Sequence, residues 1–267
     1  MKQKICRNDK DNNLPAILIA IPVFNERKYI NEILYTVRNY SKDILIINDG
    51  STDGTSDELR KHTDIKVLHH AVNIGYGQSI IDAFHYAYIN SYEWVITLDC
   101  DHQHEPSYLL HFYHEIKKDD FDIISGSRYI QKLATESKQP PAERVMINKL
   151  ITNILNTELN LSLTDSFCGF KAYRVSAVAT LELEEKGYGL PLQFWIHASK
   201  AGLRISEISV PLIYHDPERN FCGIFENHHI RLRYYIDIIE KELGYSIDQN
   251  IAKYQNSSGE RLYICKP

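Results

Sequence analysis

Two aspartates two positions apart, Asp99 and Asp101, are the sharpest chemical feature of the chain. They follow an apolar run at residues 94–98 that predicts a buried strand, and along a strand side chains two positions apart point the same way. Two adjacent like charges are costly unless a cation neutralises them, and carboxylate oxygens suit Mg²⁺ or Mn²⁺. Gln103 continues the same spacing. The pattern predicts a divalent-metal site at this strand end; the alternative is a solvated acidic turn.

Four other predicted strands also end in polar, turn-rich segments. In sequence order these are PVFNE from Pro22, NDGSTDGT from Asn48, NIGYG from Asn73 and GSR from Gly126. Because the carboxyl ends of parallel strands lie at one edge of a sheet, we expect the five segments to outline one ligand site. The glycines of NIGYG either let the backbone approach a ligand or make the turn.

Strand and helix patterns alternate along the first half of the chain and must position these segments. Short apolar runs predict strands at 16–21, 44–47, 66–68, 94–98 and 122–125. Helical spacing separates them, as in Ile30, Ile33, Leu34 and Val37 after a cap at Asn25. The alternation predicts an α/β fold with a mostly parallel sheet covered by helices on both faces. Farther along, we expect helices at 143–159, 176–183, 190–201 and 224–243, and a strand at 204–210.

Composition excludes several classes of protein. Of 267 residues, 43% are apolar and 24% charged, which excludes wholesale disorder. The net charge of −5 argues against a nucleic-acid partner held by bulk positive charge. No apolar run approaches the roughly 20 residues of a membrane span, and the first residues have no signal-peptide core. Five cysteines without a CxxC pair indicate a reducing compartment, so we expect a cytoplasmic protein.

Taken together, the five segments resemble those of a family 2 inverting glycosyltransferase with the GT-A fold. PVFNE, NDGSTDGT, NIGYG, DCDHQH and GSR occur in that order and at the normal spacing over residues 15–130. The stretch DSFCGFKAYR from Asp165 and the DxDxQH form are similar to the dolichyl-phosphate mannosyltransferase-like, polyprenyl-phosphate branch. The resemblance implies a Rossmann-like central sheet with an acceptor-side extension and a C-terminal helix.

For the donor, the resemblance implies a GDP- or UDP-sugar whose diphosphate is the leaving group. The nucleotide would be bound by residues at the first four strand ends: Pro22, Phe24, Glu26, Asp49, Gly75 and Asp99. Asp99, Asp101 and Gln103 would hold Mg²⁺ or Mn²⁺, and Arg128 would contact phosphate. Asp101 and Arg128 would thus stabilise the negative charge that develops on the leaving group.

For the acceptor, the resemblance implies a polyprenyl phosphate or another cell-envelope glycan precursor. Its phosphate would be bound by polar and basic residues of the second half: Arg128, Arg144, Lys171, Arg174 and Gln193. A phosphate acceptor is already anionic, and Gln193, which cannot take a proton, stands where many relatives with hydroxyl acceptors carry a carboxylate. If the acceptor is instead a hydroxyl, Asp165 is the candidate general base. A loop with His215, Asp216 and Arg219 could close over the diphosphate.

The chain accordingly divides by expected role. Residues 1–14 form a flexible tail, 15–128 a nucleotide-sugar-binding half, and 129–223 an acceptor half with a mobile loop at 130–142. Residues 224–267 contain the last helix and a tail. That helix could touch a membrane surface peripherally or pack back on the domain.

Other functions stay open at this point. One is a glycosyltransferase with a soluble hydroxyl acceptor, and another is a non-catalytic nucleotide-sugar-binding protein. A sugar nucleotidyltransferase is disfavoured because PVFNE lacks the glycine-rich basic loop of that class. The sequence leaves the base, the sugar and the oligomeric state undecided.

Overall fold

The computed structural model describes residues 14–131, 140–214 and 227–247. Within these ranges the chain forms one seven-stranded sheet with the order β3-β2-β1-β4-β6-β5-β7. The strands are β1 (Ile17–Val23), β2 (Ile44–Asn48), β3 (Lys66–His69), β4 (Trp94–Thr97), β5 (Ile123–Ser127), β6 (Lys171–Arg174) and β7 (Ile205–Ser209). All neighbouring pairs are parallel except those of β6, which runs antiparallel to β4 and β5.

Helices cover both faces of this sheet, which confirms the predicted α/β architecture. The described residues contain α1 (Ile30–Val37), α2 (Thr55–Leu59), α3 (Tyr76–Ile89), α4 (Leu109–Lys118), α5 (Ala142–Leu159), α6 (Val175–Val178), α7 (Leu190–Lys200) and α8 (His228–Leu243). One apolar cluster joins the sheet to α1, α2 and α4, and a second joins it to α3 and α5–α8. All four apolar residues on which α1 was predicted are buried.

Strand β6 was not predicted, and it is central. Charged residues stand at both of its ends, Lys171 and Arg174, so KAYR does not look like a buried strand. Both charges are satisfied locally, because Lys171 Nζ donates to the carbonyl of Cys168 and Arg174 Nε to Asp122, 3.1 Å away. The helix predicted at 176–183 is correspondingly shorter and ends at Val178.

Helix α8 packs back on the domain through an ordered contact with α7. Gln193 Nε2 and His197 Nε2 lie 2.8 and 2.9 Å from the two carboxylate oxygens of Glu242. Lys200 Nζ donates to the Glu242 carbonyl at 2.6 Å. Across the described ranges, no helix has both the length and the apolar character needed to cross a membrane. The predicted start of this helix, residues 224–226, lies outside the described residues, as do most of the expected tails.

At the edge of the sheet opposite the polar strand ends, Asp122 links the strands β5, β6 and β7 through hydrogen bonds. Its carboxylate accepts hydrogen bonds from Arg174 on β6 and from Arg204, which precedes β7, at 2.8–3.1 Å. Arg174 pairs with Trp94, the first residue of β4, so it lies far along β6 from the predicted site. The expectation that Arg174 binds the acceptor phosphate is therefore wrong in this structure.

We predict that Asp122→Asn lowers the free energy of unfolding in a pH-dependent way. The hydrogen bonds and charges of Arg204, followed by the charge of Arg174, lower the pKa of Asp122 to about 2. A depressed folded-state pKa stabilises the protein above the unfolded pKa of about 4, and this contribution is lost as the pH falls through the folded pKa. Urea denaturation should show a loss of about 2 kcal/mol at pH 7 that shrinks to about half at pH 3.

The matched control is Asp120→Asn, because Asp120 is an exposed neighbour on the same turn. It should change the unfolding free energy by less than about 0.5 kcal/mol. If the loss of unfolding free energy in Asp122→Asn does not depend on pH, the role of Asp122 as a charged link between strands is contradicted.

Candidate active site

The ends of β1 and β2 are joined into one edge by hydrogen bonds between their loops. Asn25 adopts a left-handed backbone conformation with φ of 57°, and its side-chain oxygen accepts from Thr52 N at 2.8 Å. Its own N–H donates to Ser51 Oγ at 2.9 Å, and Arg27 N donates to Asp53 at 3.0 Å. Asn25 is thus a loop connector rather than the predicted helix cap. PVFNE and NDGSTDGT form a single, hydrogen-bonded rim.

Three of the predicted nucleotide-binding residues lie on this rim. Pro22 is half-buried in β1 beside Ile47, and Phe24 is 41% exposed just beyond the strand. Glu26 is buried, and its N–H donates to Thr55 Oγ1 at 3.0 Å. The exposed ring of Phe24 is the most accessible apolar surface among the three.

Asp49 holds the turn that contains Asn73, Ile74 and Gly75. The Asp49 carboxylate accepts the Ile74 and Gly75 N–H groups, both at 2.8 Å, and the Asn73 side-chain amide at 2.9 Å. His70 Nδ1 lies 2.7 Å away and supplies a fourth bond. A carboxylate offers about four acceptor positions, so these described donors leave little capacity for a nucleobase or ribose. We therefore revise the expected role of Asp49 from direct nucleotide ligand to organiser of this turn.

Gly75 and Gly77 are needed for close packing against the segment 185–187. A Cβ at Gly77 would lie 2.2 Å from the Glu185 carbonyl oxygen, and one at Gly75 would lie 2.3 Å from that of Lys186. Gly75 also has φ of 126°, which disfavours any residue with a side chain. The alternative that the glycines make the turn is supported at Gly75, and the close approach seen at both positions is that of the chain's own backbone.

The aspartate motif forms a turn rather than a continuing strand. β4 ends at Thr97, and His102 has φ of 60°, so strand alternation does not extend through the motif. Asp101 accepts hydrogen bonds from Gln103 N at 3.1 Å and from Gln103 Nε2 at 2.8 Å. Asp99 lies against Gly169 at the start of the β6 segment, where an added Cβ would lie 2.6 Å from Oδ2. Asp101 and Gln103 thus come together through a turn, and Asp99 directly precedes it.

His104 packs against this turn and stabilises it as a neutral imidazole. Its Nδ1 accepts the N–H of Asp99 at 3.0 Å, which places the proton on Nε2. Burial lowers the pKa of His104 to about 4, and the nearby charge of Asp101 only partly opposes this. The ring stacks on Phe170 at 5.2 Å. His104 therefore positions the backbone at Asp99 without adding charge.

The motif fits a divalent cation that is shared with a substrate. Among the described residues, no three His, Cys, Asp or Glu side chains are grouped closely enough to bind a metal alone. Mg²⁺ is commonly held by only one or two carboxylates together with phosphates and water. Asp99 is partly exposed, and Asp101 and Gln103 line an open cavity of about 650 Å³. Their oxygen atoms are the right donors for Mg²⁺ or Mn²⁺.

Arg128 and Asp165 form a buried ion pair beside this turn. Arg128 Nε and Nη2 donate to the two oxygens of Asp165 at 2.6 and 2.9 Å, and Asn148 adds a third donor at 2.9 Å. Burial favours a higher pKa for Asp165, but the charge and hydrogen bonds of Arg128 outweigh it and lower the pKa. Asp165 is 0% exposed. In this arrangement Asp165 is the counter-ion of Arg128, and its role as a general base stays a prediction.

Two other residues expected at the acceptor are engaged inside the protein. Lys171 is 2% exposed, and burial is the main cause that lowers its pKa. Gln193 is also buried, and its side-chain oxygen accepts the N–H groups of Glu184 and Glu185, both at 2.8 Å. Both side chains are thus bonded to the protein's own backbone, Lys171 at the Cys168 carbonyl and Gln193 at residues 184 and 185.

A second arginine, Arg231, lies near Arg144. Arg231 on α8 is buried next to Tyr235, and Arg144 on α5 lies over the ring of Tyr214 with 5.7 Å between Cζ and the ring centre. Arg231 falls on the buried stripe of α8 with Tyr235 and Ile238. In the sequence, the signal for Arg231 was a charged residue within the apolar stripe of the last helix. His215, Asp216, Arg219 and most of the expected mobile loop lie outside the described residues.

Comparisons with known proteins agree on the type of protein. The sequence model of glycosyl transferase family 2 matches residues 18–181. The chain is 28% identical over 206 residues to an undecaprenyl-phosphate mannosyltransferase of Micrococcus luteus, covering 74% of this chain and 83% of that protein. It is also 28% identical over 217 residues to a UDP-N-acetylglucosamine–dolichyl-phosphate N-acetylglucosaminyltransferase of Methanococcus voltae, covering 74% and 86%.

A solved structure with a similar fold is glucosyl-3-phosphoglycerate synthase of Mycobacterium tuberculosis. The TM-score is 0.66 at 16% identity, and the match covers 88% of this chain and 82% of that one. At this identity the similarity concerns the fold alone, and it confirms the predicted GT-A-like architecture.

We predict that Gly169→Ala weakens nucleotide binding without unfolding the protein. The new Cβ would lie 2.6 Å from Asp99 Oδ2 and 3.0 Å from the Tyr76 hydroxyl, so the Asp99 carboxylate must turn away. Isothermal titration with UDP and GDP in Mn²⁺ should show affinity reduced by about tenfold or more. Gly202→Ala is the control for binding: its Cβ would meet nothing within 4 Å among the described residues, and although its φ of 67° makes alanine cost about 1 kcal/mol of stability, nucleotide affinity should not change. Equal affinity in the two variants would contradict the prediction.

We also predict that Asp165→Asn destabilises the protein by about 3–5 kcal/mol, because it leaves the Arg128 charge buried without its counter-ion. Urea denaturation measures this loss. The exposed pair of Asp119 and Arg174 gives a control, since Asp119→Asn should cost less than about 1 kcal/mol. An Asp165 variant that is fully stable but inactive would instead favour the general-base role.

Proposed function

Because the chain belongs to glycosyl transferase family 2 and so uses a nucleotide-sugar donor, we propose that its acceptor is a polyprenyl phosphate or a related cell-envelope glycan precursor. The observation that carries the proposal is the carboxylate turn at Asp99 and Asp101: Asp101 lines an open cavity, and in the second half of the chain Arg144 lies over the ring of Tyr214. The polyprenyl-phosphate class is supported by the names of the Micrococcus and Methanococcus relatives.

On the donor side, the main chemical task is to stabilise the leaving diphosphate. Asp99, Asp101 and Gln103 would hold Mg²⁺ or Mn²⁺, which when bound neutralises negative charge on the diphosphate. The similar mycobacterial structure contains Mn²⁺ and UDP, which supports this arrangement. Arg128 directs Nε and Nη2 at Asp165, which fixes its guanidinium plane beside the turn. Because Asp165 already fixes the orientation of the Arg128 side chain, Arg128 would lose little further side-chain entropy on binding phosphate oxygens.

Attack by the acceptor from the face opposite the leaving group would invert the anomeric carbon. A phosphate oxygen is already anionic at neutral pH and needs no proton acceptor. This suits the site, because Asp165 is tied to Arg128 and Gln193 is neutral and buried. The two residues considered for base catalysis thus both favour an acceptor that needs no base.

The acceptor phosphate would be met by Arg144 and Arg231. Burial is the main cause that lowers the pKa of Arg231, and the positive charge of Arg144 adds to it. An anion between two such arginines would relieve their repulsion and form charge-assisted hydrogen bonds. Tyr214 and Tyr235 supply apolar walls beside them. Ile230 is exposed on the same first turn of α8, which would suit peripheral contact with the membrane that carries a polyprenyl chain.

A soluble alcohol is the alternative acceptor, and Glu185 is the residue that would favour it. Its carboxylate is half-buried on the segment packed against Gly75 and Gly77, and it accepts from the Tyr234 hydroxyl at 2.7 Å. An alcohol acceptor would need such a carboxylate to remove its proton.

We predict that Asp101→Asn abolishes both metal-dependent donor binding and transfer. Thermal-shift assays with UDP-, GDP-, CMP- and dTDP-sugars, with and without Mn²⁺, should identify the donor, since ligands stabilise the native state. With that donor, the variant should lose the Mn²⁺-dependent shift, and its turnover should fall by about 100-fold or more. Asp120→Asn should behave as the unaltered protein.

The acceptor is tested with radiolabelled donor in detergent micelles. Transfer to undecaprenyl or dolichyl phosphate but not to the corresponding free alcohol is expected, with a raised acceptor KM in Arg144→Gln. Transfer only to soluble alcohols, lost in Glu185→Gln, would overturn the phosphate acceptor. Donor binding without turnover on any acceptor would favour a binding protein.

A further inference from the structure

His70 lies directly between two carboxylates at the carboxyl end of β3. Its Nδ1 is 2.7 Å from Asp49 Oδ1, and its Nε2 is 2.8 Å from Asp82 Oδ2 on α3. The His70 side chain is 6% exposed. Gln78, one turn earlier on α3, donates to the other oxygen of Asp82 at 3.0 Å and fixes its orientation. No motif of the sequence pointed to His70.

Both ring nitrogens of His70 face acceptors, and this decides its protonation. A neutral imidazole carries one N–H and one lone pair, so one nitrogen would meet a carboxylate oxygen without a proton. Only the doubly protonated ring donates to both. Burial lowers the pKa of His70, but the hydrogen bonds and charges of Asp49 and Asp82 outweigh burial and raise it.

The charged groups that face His70 come from the two elements packed against it. Asp49 follows β2 and Asp82 belongs to α3. On β3 itself, the neighbouring His69 directs its Nδ1 to the side chain of Asn48, 3.2 Å away, and not to either carboxylate. The local charge is thus two carboxylates around one imidazolium.

We propose that protonated His70 is a positioning residue, which ties Asp49 to Asp82 and thereby holds the Asn73–Gly75 turn in its nucleotide-competent shape. The effect of His70 on the turn passes through Asp49. The Asp49 carboxylate accepts hydrogen bonds both from His70 and from the N–H groups of Ile74 and Gly75. The effect on the nucleotide rests on the proposed function, whereas the effect on the turn does not.

The proposal fixes the direction of the pH dependence. Because His70 has a raised folded-state pKa, its stabilising effect is complete below the unfolded pKa of about 6.5 and is lost as the pH rises through the folded value. The turn should therefore loosen on the alkaline side, and nucleotide affinity should fall there.

The first experiment needs no ligand. Proton NMR, with His70→Gln used to assign the resonance, should show His70 titrating above pH 6.5 and titrating lower in Asp82→Asn. Hydrogen-exchange protection of the Ile74 and Gly75 amides should fall through the same pH range. Titration of His70 at or below its usual value, or protection that ignores its titration, would overturn the proposal.

The second experiment measures UDP and GDP binding in Mn²⁺ by calorimetry across pH 6–9. The alkaline loss of affinity should move to lower pH in Asp82→Asn, whose changed residue does not touch Asp49. His70→Gln should bind about tenfold more weakly at pH 6.5 and lose the pH step. The exposed His114 on α4 supplies the control His114→Gln.

The two experiments fail in distinguishable ways. If neither nucleotide binds the unaltered protein, the proposed function fails, and the NMR and exchange results still decide the role of His70. If nucleotides bind with an identical pH profile in Asp82→Asn, the positioning role fails and the proposed function stands.

Discussion

The cost of burying a carboxylate without enough donors governs the architecture around the strand ends. Asp49 and Asp165 are both buried at this edge of the sheet, and the described residues surround each with several donors. These donors come from distant parts of the chain, such as Arg128 for Asp165. Satisfying each charge therefore also joins loops that are far apart in sequence. The rim is rigid because its charges must be paired.

The need to pair buried charges separates two groups of residues: candidates for substrate contact, and residues that have the chemistry of a ligand but serve inside the protein. Asp49 and Asp165 have the right chemistry for ligand and base, yet their acceptor positions are taken up by the protein itself. Asp99 and Asp101 differ, because both are partly exposed and Asp101 lines the open cavity. Partial exposure is what distinguishes these candidate metal ligands from the buried internal supports Asp49 and Asp165.

The sequence was sufficient for the sheet's first five strands because each is an apolar run followed by turn residues. It was also sufficient for the placement of the five polar strand ends on one edge, since β1–β5 all run in the same direction. Strand β6 was missed because it begins and ends with charged residues: Arg174 meets its partner Asp122 only through the fold, and Lys171 turns back to the Cys168 carbonyl three residues earlier. The roles of Gly75 and His70 were missed for the same reason, because their partners belong to other elements.

The antiparallel strand β6 also bears on how the chain acquires its structure. In the described sheet, β5 pairs with β6 and β7 and not with β1–β4, although it follows β4 in sequence. Residues 15–128 therefore do not form a folding unit by themselves, since β5 is joined to β1–β4 only through β6. During synthesis, β5 must wait for about 45 further residues before β6 can join it to β4, and such non-local pairing slows folding and leaves strand edges exposed. A nascent chain stopped before β6 would present an open edge on β4 to chaperones or to other chains.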